Sequence, residues 1–445
     1  MAEPYDSHKA VVLKRKLTLA GLVAATYFMV AGGPYGLEEL VRNVGYRTAL
    51  FLLVATPLVW SLPTALMVGE LASAIPDEGG YYVWVERAMG PFWGFQEAWL
   101  SLCASVFYMA IYPTLFLLYL GRLWPAASQE KFGLGMGVAI LVACAALNLR
   151  GSRAVGGASE IMAVLLLGPF VFMAMLAFTG VAAPSPAHAP EHGADLLGGI
   201  LIAMWNFGGW DNASTVAGEV DRPQRSYPLA ILVTIFLVTV TYLVPVAGAA
   251  YSGIDPSAWT TGSWVTVGEI MGGRGLALAV GVGGMICGLG MANALVMAYS
   301  RLPLVLALHG RLPRVFARQL RGTGAPWVSI LALTVAWSIA VGLGLQRLID
   351  LYILLYGLSL VLEFAALVIL RVREPDLSRP FRVPGGLPVA LLLGAGPAAL
   401  LLLAFARERH EHAGQLGALT LALSLAGAGP LVYVTSCWRA RTATK

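Results

Sequence analysis

Apolar residues run along this chain in long unbroken stretches, and short segments between them gather the charges, prolines and glycines. Stretches of this length, without a two-residue alternation, predict membrane-crossing helices and not the alternating strands of a membrane barrel. Twelve helices are predicted, over 17–43, 47–75, 91–122, 131–149, 154–180, 195–219, 227–251, 271–300, 326–345, 347–371, 386–406 and 414–437. Twelve spans of about 21 residues use roughly 250 residues, which leaves short loops and no room for a separate soluble domain. The run that follows the basic tail 1–16 is too long for a signal peptide and has no small-residue cleavage site, so it is expected to stay as the first span.

Two loops carry more pattern than a connector needs. The 75–90 segment mixes acids, glycines and aromatics and is expected to lie along the inner membrane surface. The 301–321 segment interleaves apolar residues with arginine, as an interfacial helix would, although a basic loop with some apolar anchoring gives the same pattern.

Composition narrows the class further. Of 445 residues only 12% are charged and 58% are hydrophobic, about half the charge of a soluble domain. An ordinary soluble enzyme, a disordered chain and a disulfide scaffold are excluded. The net charge of +5 is read as topology: with the N-terminus inside, 21 of the 29 Lys and Arg fall in inner segments and eight in outer ones, so both termini are expected in the cytoplasm. The 184–195 loop, with two acids, two histidines and no Lys or Arg, fits the outside. The arginines sit at span ends and not on one face with aromatics between them, which argues against nucleic acid. Cys103, Cys144, Cys287 and Cys437 lie far apart within apolar runs and suggest neither a disulfide framework nor a metal site. No cofactor is expected.

Two of the predicted spans contain sequence that cannot stay helical. Ala31-Gly32-Gly33-Pro34-Tyr35-Gly36 interrupts the first, and Asn206-Phe207-Gly208-Gly209-Trp210-Asp211 interrupts the sixth. Each interruption opens a set of about five spans. Backbone left unpaired at membrane depth is tolerated where it lines a cavity or meets a ligand. Paired breaks in matching positions of two halves point to the central site of a transporter; ordinary kinks are the plain alternative. The expected organisation is a tail (1–16), a five-helix set (17–180), a second, inverted set (195–371), two further helices (386–437) and a tail (438–445).

GGPYGLEE in the first span, ELASAIPDEGGYYVWVERAMGPFWGF after the second, WNFGGWDNASTVAGEVDRPQRSYPLA at the sixth and SRLPLVLALHGRLPRVFA after the eighth resemble the amino acid–polyamine–organocation permeases. The resemblance runs from about Lys14 to Val434 and is strongest to the plant-type polyamine uptake and L-type amino acid transporters. It implies an all-α membrane protein of twelve spans with a five-plus-five inverted repeat, broken helices 1 and 6, and alternating access. It also implies a substrate held between the breaks: a carboxylate on amides at Ala31, Gly32 and Gly33, and an amine on carbonyls near Phe28 and Ala31 and at Trp205, Asn206 and Phe207, with Gly208 completing the second break. Trp205 would cover the substrate from outside. Tyr108, Asn293 and Tyr356 fall where the family lines its pocket, although an isolated Tyr or Asn in a membrane is also a helix–helix partner, and Tyr35, within the first break, is a further candidate.

The chain departs from the amino acid pattern at two acids. Asp211 stands where neutral L-type members have Asn, and Glu38 follows the first break. A carboxylate at mid-membrane is expensive and functional by default, so each is a candidate substrate ligand or proton carrier; the other reading is a helix-capping carboxyl. Glu97, Glu160 and Glu363 are further acids in apolar surroundings. Proton-coupled relatives carry a lysine near Glu160, which this sequence lacks; Glu160 is the third proton-coupling candidate, with pairing to Arg150 or Arg153 the alternative. The expected function is a secondary transporter of an organic amine, a polyamine or an amino acid, coupled to protons, in a bacterial-type inner membrane. An amino acid exchanger and a sodium-coupled version, for which Ser300 is poorly placed, are alternatives. An ion channel would need a repeated filter, and an embedded enzyme would need clustered nucleophile, base or metal ligands; the six histidines lie in tails and loops. With no cysteine in an outer loop, no disulfide-linked partner is expected.

Overall fold

The computed structural model describes residues 17–179, 195–250, 254–408 and 417–442. The tail 1–16, the loop residues 184–194 and the terminal 443–445 lie outside the described residues. Regular structure among those residues is helical: α1 (Leu19–Val30), α2 (Glu38–Thr56), α3 (Leu62–Ala74), α4 (Tyr81–Met89), α5 (Pro91–Leu123), α6 (Glu130–Asn148), α7 (Ser152–Phe178), α8 (Leu196–Asn206), a 3₁₀ segment (Trp210–Glu219), α9 (Pro223–Ala249), α10 (Trp264–Tyr299), α11 (Arg301–Leu308), α12 (Trp327–Ile339), α13 (Leu345–Arg373), α14 (Gly386–Leu393), α15 (Ala395–Glu408) and α16 (Ala418–Thr442). Among the described residues nine helices are long and apolar enough to cross a membrane, and α1 and α12 are shorter apolar helices. Val164, Phe236, Ile339 and Leu392 are largely exposed, as side chains facing lipid would be.

The core is built around α5. Helices α10 and α13 pack along it, α7 packs on α10, and the broken helix α1 lies among α7, α9 and α10. Both broken helices start with a side-chain cap: Thr18 Oγ1 accepts from Gly21 N (3.1 Å) at α1, and Asp195 Oδ1 accepts from Gly198 N (2.9 Å) at α8.

Several boundaries differ from the sequence expectation, for local reasons. The expected 17–43 span is divided by the break, and its second part turns at Gly45 (φ 71°) straight into the next span, so α2 joins the two. The chain continues through a π turn at Pro57–Ser61 into α3. The eighth helix starts at Trp264 and bends at Gly273 (φ 73°). Gly394 divides the expected 386–406 helix into α14 and α15. Helix α12 is shorter than the expected 326–345.

The two loops each bury one part and expose another. In 75–90, Tyr81, Tyr82, Trp84 and Val85 of α4 are fully buried against α5 and α13, while Asp77 and Arg87 are exposed, so one face of the segment packs on the bundle and the other is open. In 301–321, α11 is buried through Ala307 and the chain turns at Gly310 (φ 70°); the residues from Leu308 on are exposed enough to lie at an interface.

Candidate functional site

The first break follows from backbone chemistry. Ala31 leaves the helix in an extended conformation, Gly33 (φ 75°) and Gly36 (φ 95°) take left-handed values, and Pro34 between them has no amide to donate. The second turns at Gly209 (φ 91°). The two come together: a β-carbon on Gly209 would sit 2.7 Å from the Met29 carbonyl, and Asn206 Nδ2 donates to Gly36 O (3.4 Å) as well as to Ile202 O (2.9 Å).

Beyond Gly209 the chain coils as a 3₁₀ segment. Three side chains donate to the carbonyl three residues behind them: Trp210 Nε1 to Phe207 O (2.9 Å), Asn212 Nδ2 to Gly209 O (3.2 Å) and Thr215 Oγ1 to Asn212 O (2.8 Å). The backbone bonds at both ends of the segment span three residues too. Side-chain competition for backbone carbonyls favours this tighter winding over an α-helix.

Between the breaks lies a small cavity, lined by Val30, Gly32, Tyr35, Tyr108, Leu115, Trp205, Asn206, Tyr242 and Met291. Its volume, about 10 Å³, admits a single water-sized sphere. A wider cavity of about 530 Å³ lies on the other side of Trp205, lined by Gly36, Glu39, Leu118, Arg122, Ile202, Trp205, Thr260, Thr261, Leu345, Gln346 and Ile349. Trp205 therefore partitions the two. Its indole lies against Gly36, where a β-carbon would come within 2.8 Å of the ring.

At the opposite end the barrier is thick. Leu17 pairs with Val220 across the end of the 3₁₀ segment, Gly79 N donates to Thr215 O (3.0 Å), and Gly80 is so close to Ser214 that a β-carbon would overlap it. Arg301, 2% exposed, donates to Glu219 Oε1 through Nε (3.0 Å) and Nη2 (2.6 Å), to Met297 O (2.9 Å) and to Ser300 Oγ (3.0 Å), while Glu78 stands at ion-pair distance (3.5 Å).

The expected site residues divide into four groups. Gly32, Tyr35, Tyr108, Trp205 and Asn206 line the cavity; Ala31, Gly33, Phe207 and Gly208 shape its breaks. The carbonyls of Trp205, Asn206 and Phe207 already accept from Gly208 N (3.2 Å), Tyr242 Oη (2.8 Å) and Trp210 Nε1. Asp211 and Tyr356 lie just beyond: Tyr356 Oη accepts from Gly209 N (3.1 Å) and donates to Asp211 Oδ1 (2.6 Å). The remaining three lie off the cavity lining. Glu38, fully buried, accepts from Tyr119 Oη, from Gly36 N (2.6 Å) and from Gly262 N (3.0 Å), tying the first break to the 260–263 loop. Asn293 pairs with Asn148 (3.0 Å), joining α10 to α6. Glu160 is exposed on α7, and neither Arg150 nor Arg153 pairs with it among the described ion pairs.

Because Glu38 faces three donors, Glu38→Gln should lower stability by about 1–3 kcal/mol, since the amide nitrogen must meet at least one of them. Unchanged thermal melting of the purified variant would contradict that role.

Sequence reasoning missed Tyr242, Tyr119 and Tyr352. Tyr352 stacks on Tyr108 (3.9 Å, 6°) and on Tyr356 (5.1 Å, 13°). The four-residue spacing of Tyr352 and Tyr356 was a signal for a shared helix face; Tyr242 and Tyr119 offered none.

Comparison with known proteins places this arrangement in a family. The amino acid permease profile matches residues 22–416. The polyamine transporter RMV1 of Arabidopsis thaliana is 34% identical over 391 residues, 87% of this chain and 79% of the relative. The polyamine transporter PUT1 of Oryza sativa subsp. japonica is 32% identical over 413 residues, 92% of this chain and 78% of the relative. The human cystine/glutamate transporter is 26% identical over 410 residues, 87% of this chain and 79% of the relative. Two broken helices meeting at a cavity inside a multi-pass membrane bundle, and a profile match over most of its length, assign the chain to the amino acid permease family, as a transporter and not an enzyme.

Proposed function

We propose that the protein is a secondary active transporter that carries an organic amine, a polyamine or an amino acid, through the cavity between the breaks. In this reading the chain has twelve spans in a five-plus-five inverted repeat. The short helices α1, α8 and α12 supply spans that length alone does not reveal. Both termini face the cytoplasm of a bacterial-type inner membrane, in keeping with the Lys and Arg distribution. The observation that carries the reading is Trp205: a single indole separates the cavity from the vestibule, while packed backbone and the Arg301 cluster close the other end. Alternating access needs such a pair of barriers. In this reading the described state is near the occluded one, with its thinner wall towards the wider cavity. Polyamine transport by RMV1 and PUT1, as they are named, supports an amine cargo.

Proton symport is the proposed coupling, with Asp211 the carrier nearest the breaks. A sodium site using Ser300 is disfavoured, because its hydroxyl already accepts from Arg301 and donates to Met297 O (3.2 Å).

The test is uptake of labelled putrescine, spermidine and leucine into proteoliposomes with and without an imposed proton gradient. Gradient-dependent, saturable uptake of at least one is expected, and uptake of none would overturn the reading. Trp205→Ala should weaken apparent substrate affinity about tenfold or more, because it removes the wall of the cavity and a large buried aromatic. Affinity unchanged from wild type would remove Trp205 from the barrier.

A further inference from the structure

The cavity between the breaks has a one-sided hydrogen-bonding chemistry. Among the described residues that line it there is no Lys, Arg or His. Its hydroxyls direct their hydrogens into the protein: Tyr35 Oη donates to Val280 O (2.7 Å), Tyr108 Oη to Met29 O (3.5 Å) and Tyr242 Oη to Asn206 O (2.8 Å). The side-chain amide of Asn206 donates to Ile202 O and Gly36 O. These four side chains therefore present oxygen lone pairs and aromatic faces to a ligand. Such a lining accepts from an ammonium and attracts it to the rings. It offers little to a carboxylate.

The breaks are the other source of donors, because the start of a helix presents free amides and the positive end of its dipole. Helix α2 starts just after the first break and the 3₁₀ segment just after the second, and each carries a buried acid in its first turn, Glu38 and Asp211. Glu38 Oε2 takes the Gly36 amide, while Tyr119 Oη and Gly262 N hold its other oxygen. The Gly209 amide is taken by Tyr356 Oη, which in turn donates to Asp211. Ala31 N and Gly208 N donate to Tyr27 O (2.6 Å) and Trp205 O (3.2 Å). Apolar side chains pack on the two glycines of the first break: a β-carbon on Gly32 would come within 2.7 Å of Met291 Sδ, and one on Gly33 within 2.6 Å of Leu166 Cδ2.

We propose that Glu38 and Asp211 determine specificity by filling, from within the chain, the anion positions of the two breaks. An amine without a carboxylate is admitted. An α-amino acid is rejected, because its carboxylate meets two buried acids and a lining poor in donors. The proposal rests on the organic-amine reading above and narrows it to amines that lack a carboxylate.

The test is equilibrium titration of the full chain in nanodiscs with putrescine, ornithine, ornithine methyl ester and leucine, for wild type, Glu38→Gln, Glu38→Asp and Asp211→Asn. Ornithine is putrescine with a carboxylate added, and the ester masks that charge while keeping the bulk. Wild type should bind putrescine roughly ten- to hundredfold more tightly than ornithine, the order of one uncompensated like-charge contact in a partly buried site. The ester should recover most of the difference. Glu38→Gln and Asp211→Asn should each tighten ornithine relative to putrescine by about fivefold or more, whereas Glu38→Asp, which keeps the charge, should not. Wild type binding ornithine as tightly as putrescine would overturn the proposal, as would an ester as weak as ornithine. Variants that lose putrescine affinity with ornithine unchanged would overturn it too, by making the acids amine ligands. Those outcomes leave the organic-amine reading standing, as does binding of leucine without putrescine, which sinks the proposal alone. Binding of none of the four would sink that reading and the proposal with it. If Glu38→Gln fails to melt cooperatively, Asp211→Asn and the wild-type comparison of putrescine, ornithine and ester decide.

Discussion

Arg301→Ala is expected to destabilise the protein by about 3–5 kcal/mol, because it leaves two carboxylates buried without their cation. Arg301 makes two hydrogen bonds to Glu219 and lies 3.5 Å from Glu78, whose oxygens have no hydrogen bond of their own. Thermal melting of the purified variant is the first measurement. Its pH dependence supplies a second readout. Glu78 sits in the turn before α4, outside the spanning helices. Burial, and next the charge of Glu219, raise its carboxyl above the ordinary range, and Arg301 opposes both. A carboxyl raised in the folded state contributes its stability below its unfolded value and loses it as pH rises through the folded value. Removing Arg301 enlarges that shift, so the deficit of the variant should shrink as pH is lowered from neutral. Replacing the pair together, Arg301→Met with Glu219→Leu, should cost much less than the single change. A single variant that melts like wild type at neutral pH would show that the cluster does not hold this end closed.

Gly209→Ala should reduce uptake tenfold or more. The residue has φ 91°, which a side chain resists, and its new β-carbon would press on the Met29 carbonyl at 2.7 Å and on Asn212 Nδ2 at 3.1 Å. Strain of this kind is worth of order 1–3 kcal/mol before the overlap is counted. The overlap forces the second break away from the first, and it pulls the Gly209 amide from the Tyr356 hydroxyl that also serves Asp211. Gly135→Ala is the control: it lies within α6, and nothing stands within 4 Å of its would-be β-carbon. Uptake by Gly209→Ala within twofold of this control, at equal reconstituted protein, would mean that the breaks need not touch.

What could be read from the sequence was local. Gly33, Pro34 and Gly209 announce their breaks because a missing β-carbon or amide acts at the residue itself. Glu97, Asp211 and Glu363 stood out as acids within apolar runs. Contacts between distant residues could not be read. Glu38 was open to a ligand or a capping role, and only the fold brings Gly262 and Tyr119 onto it. Helix α4 carries enough charge to suggest a surface, yet its aromatics are buried because α5 and α13 close over them. The 3₁₀ winding after Gly209 depends on three side chains each finding a carbonyl, a pattern that residue spacing alone does not distinguish from an α-helix.

That winding has a mechanical consequence. A 3₁₀ coil rises about 2.0 Å per residue and an α-helix about 1.5 Å, so residues 210–215, ahead of the kink at Val216, are about 3 Å longer than the same residues wound as α-helix. One end of this stretched coil abuts the breaks, and the other is pinned by Leu17 and Arg301. Rewinding it as an α-helix would draw those two ends towards each other.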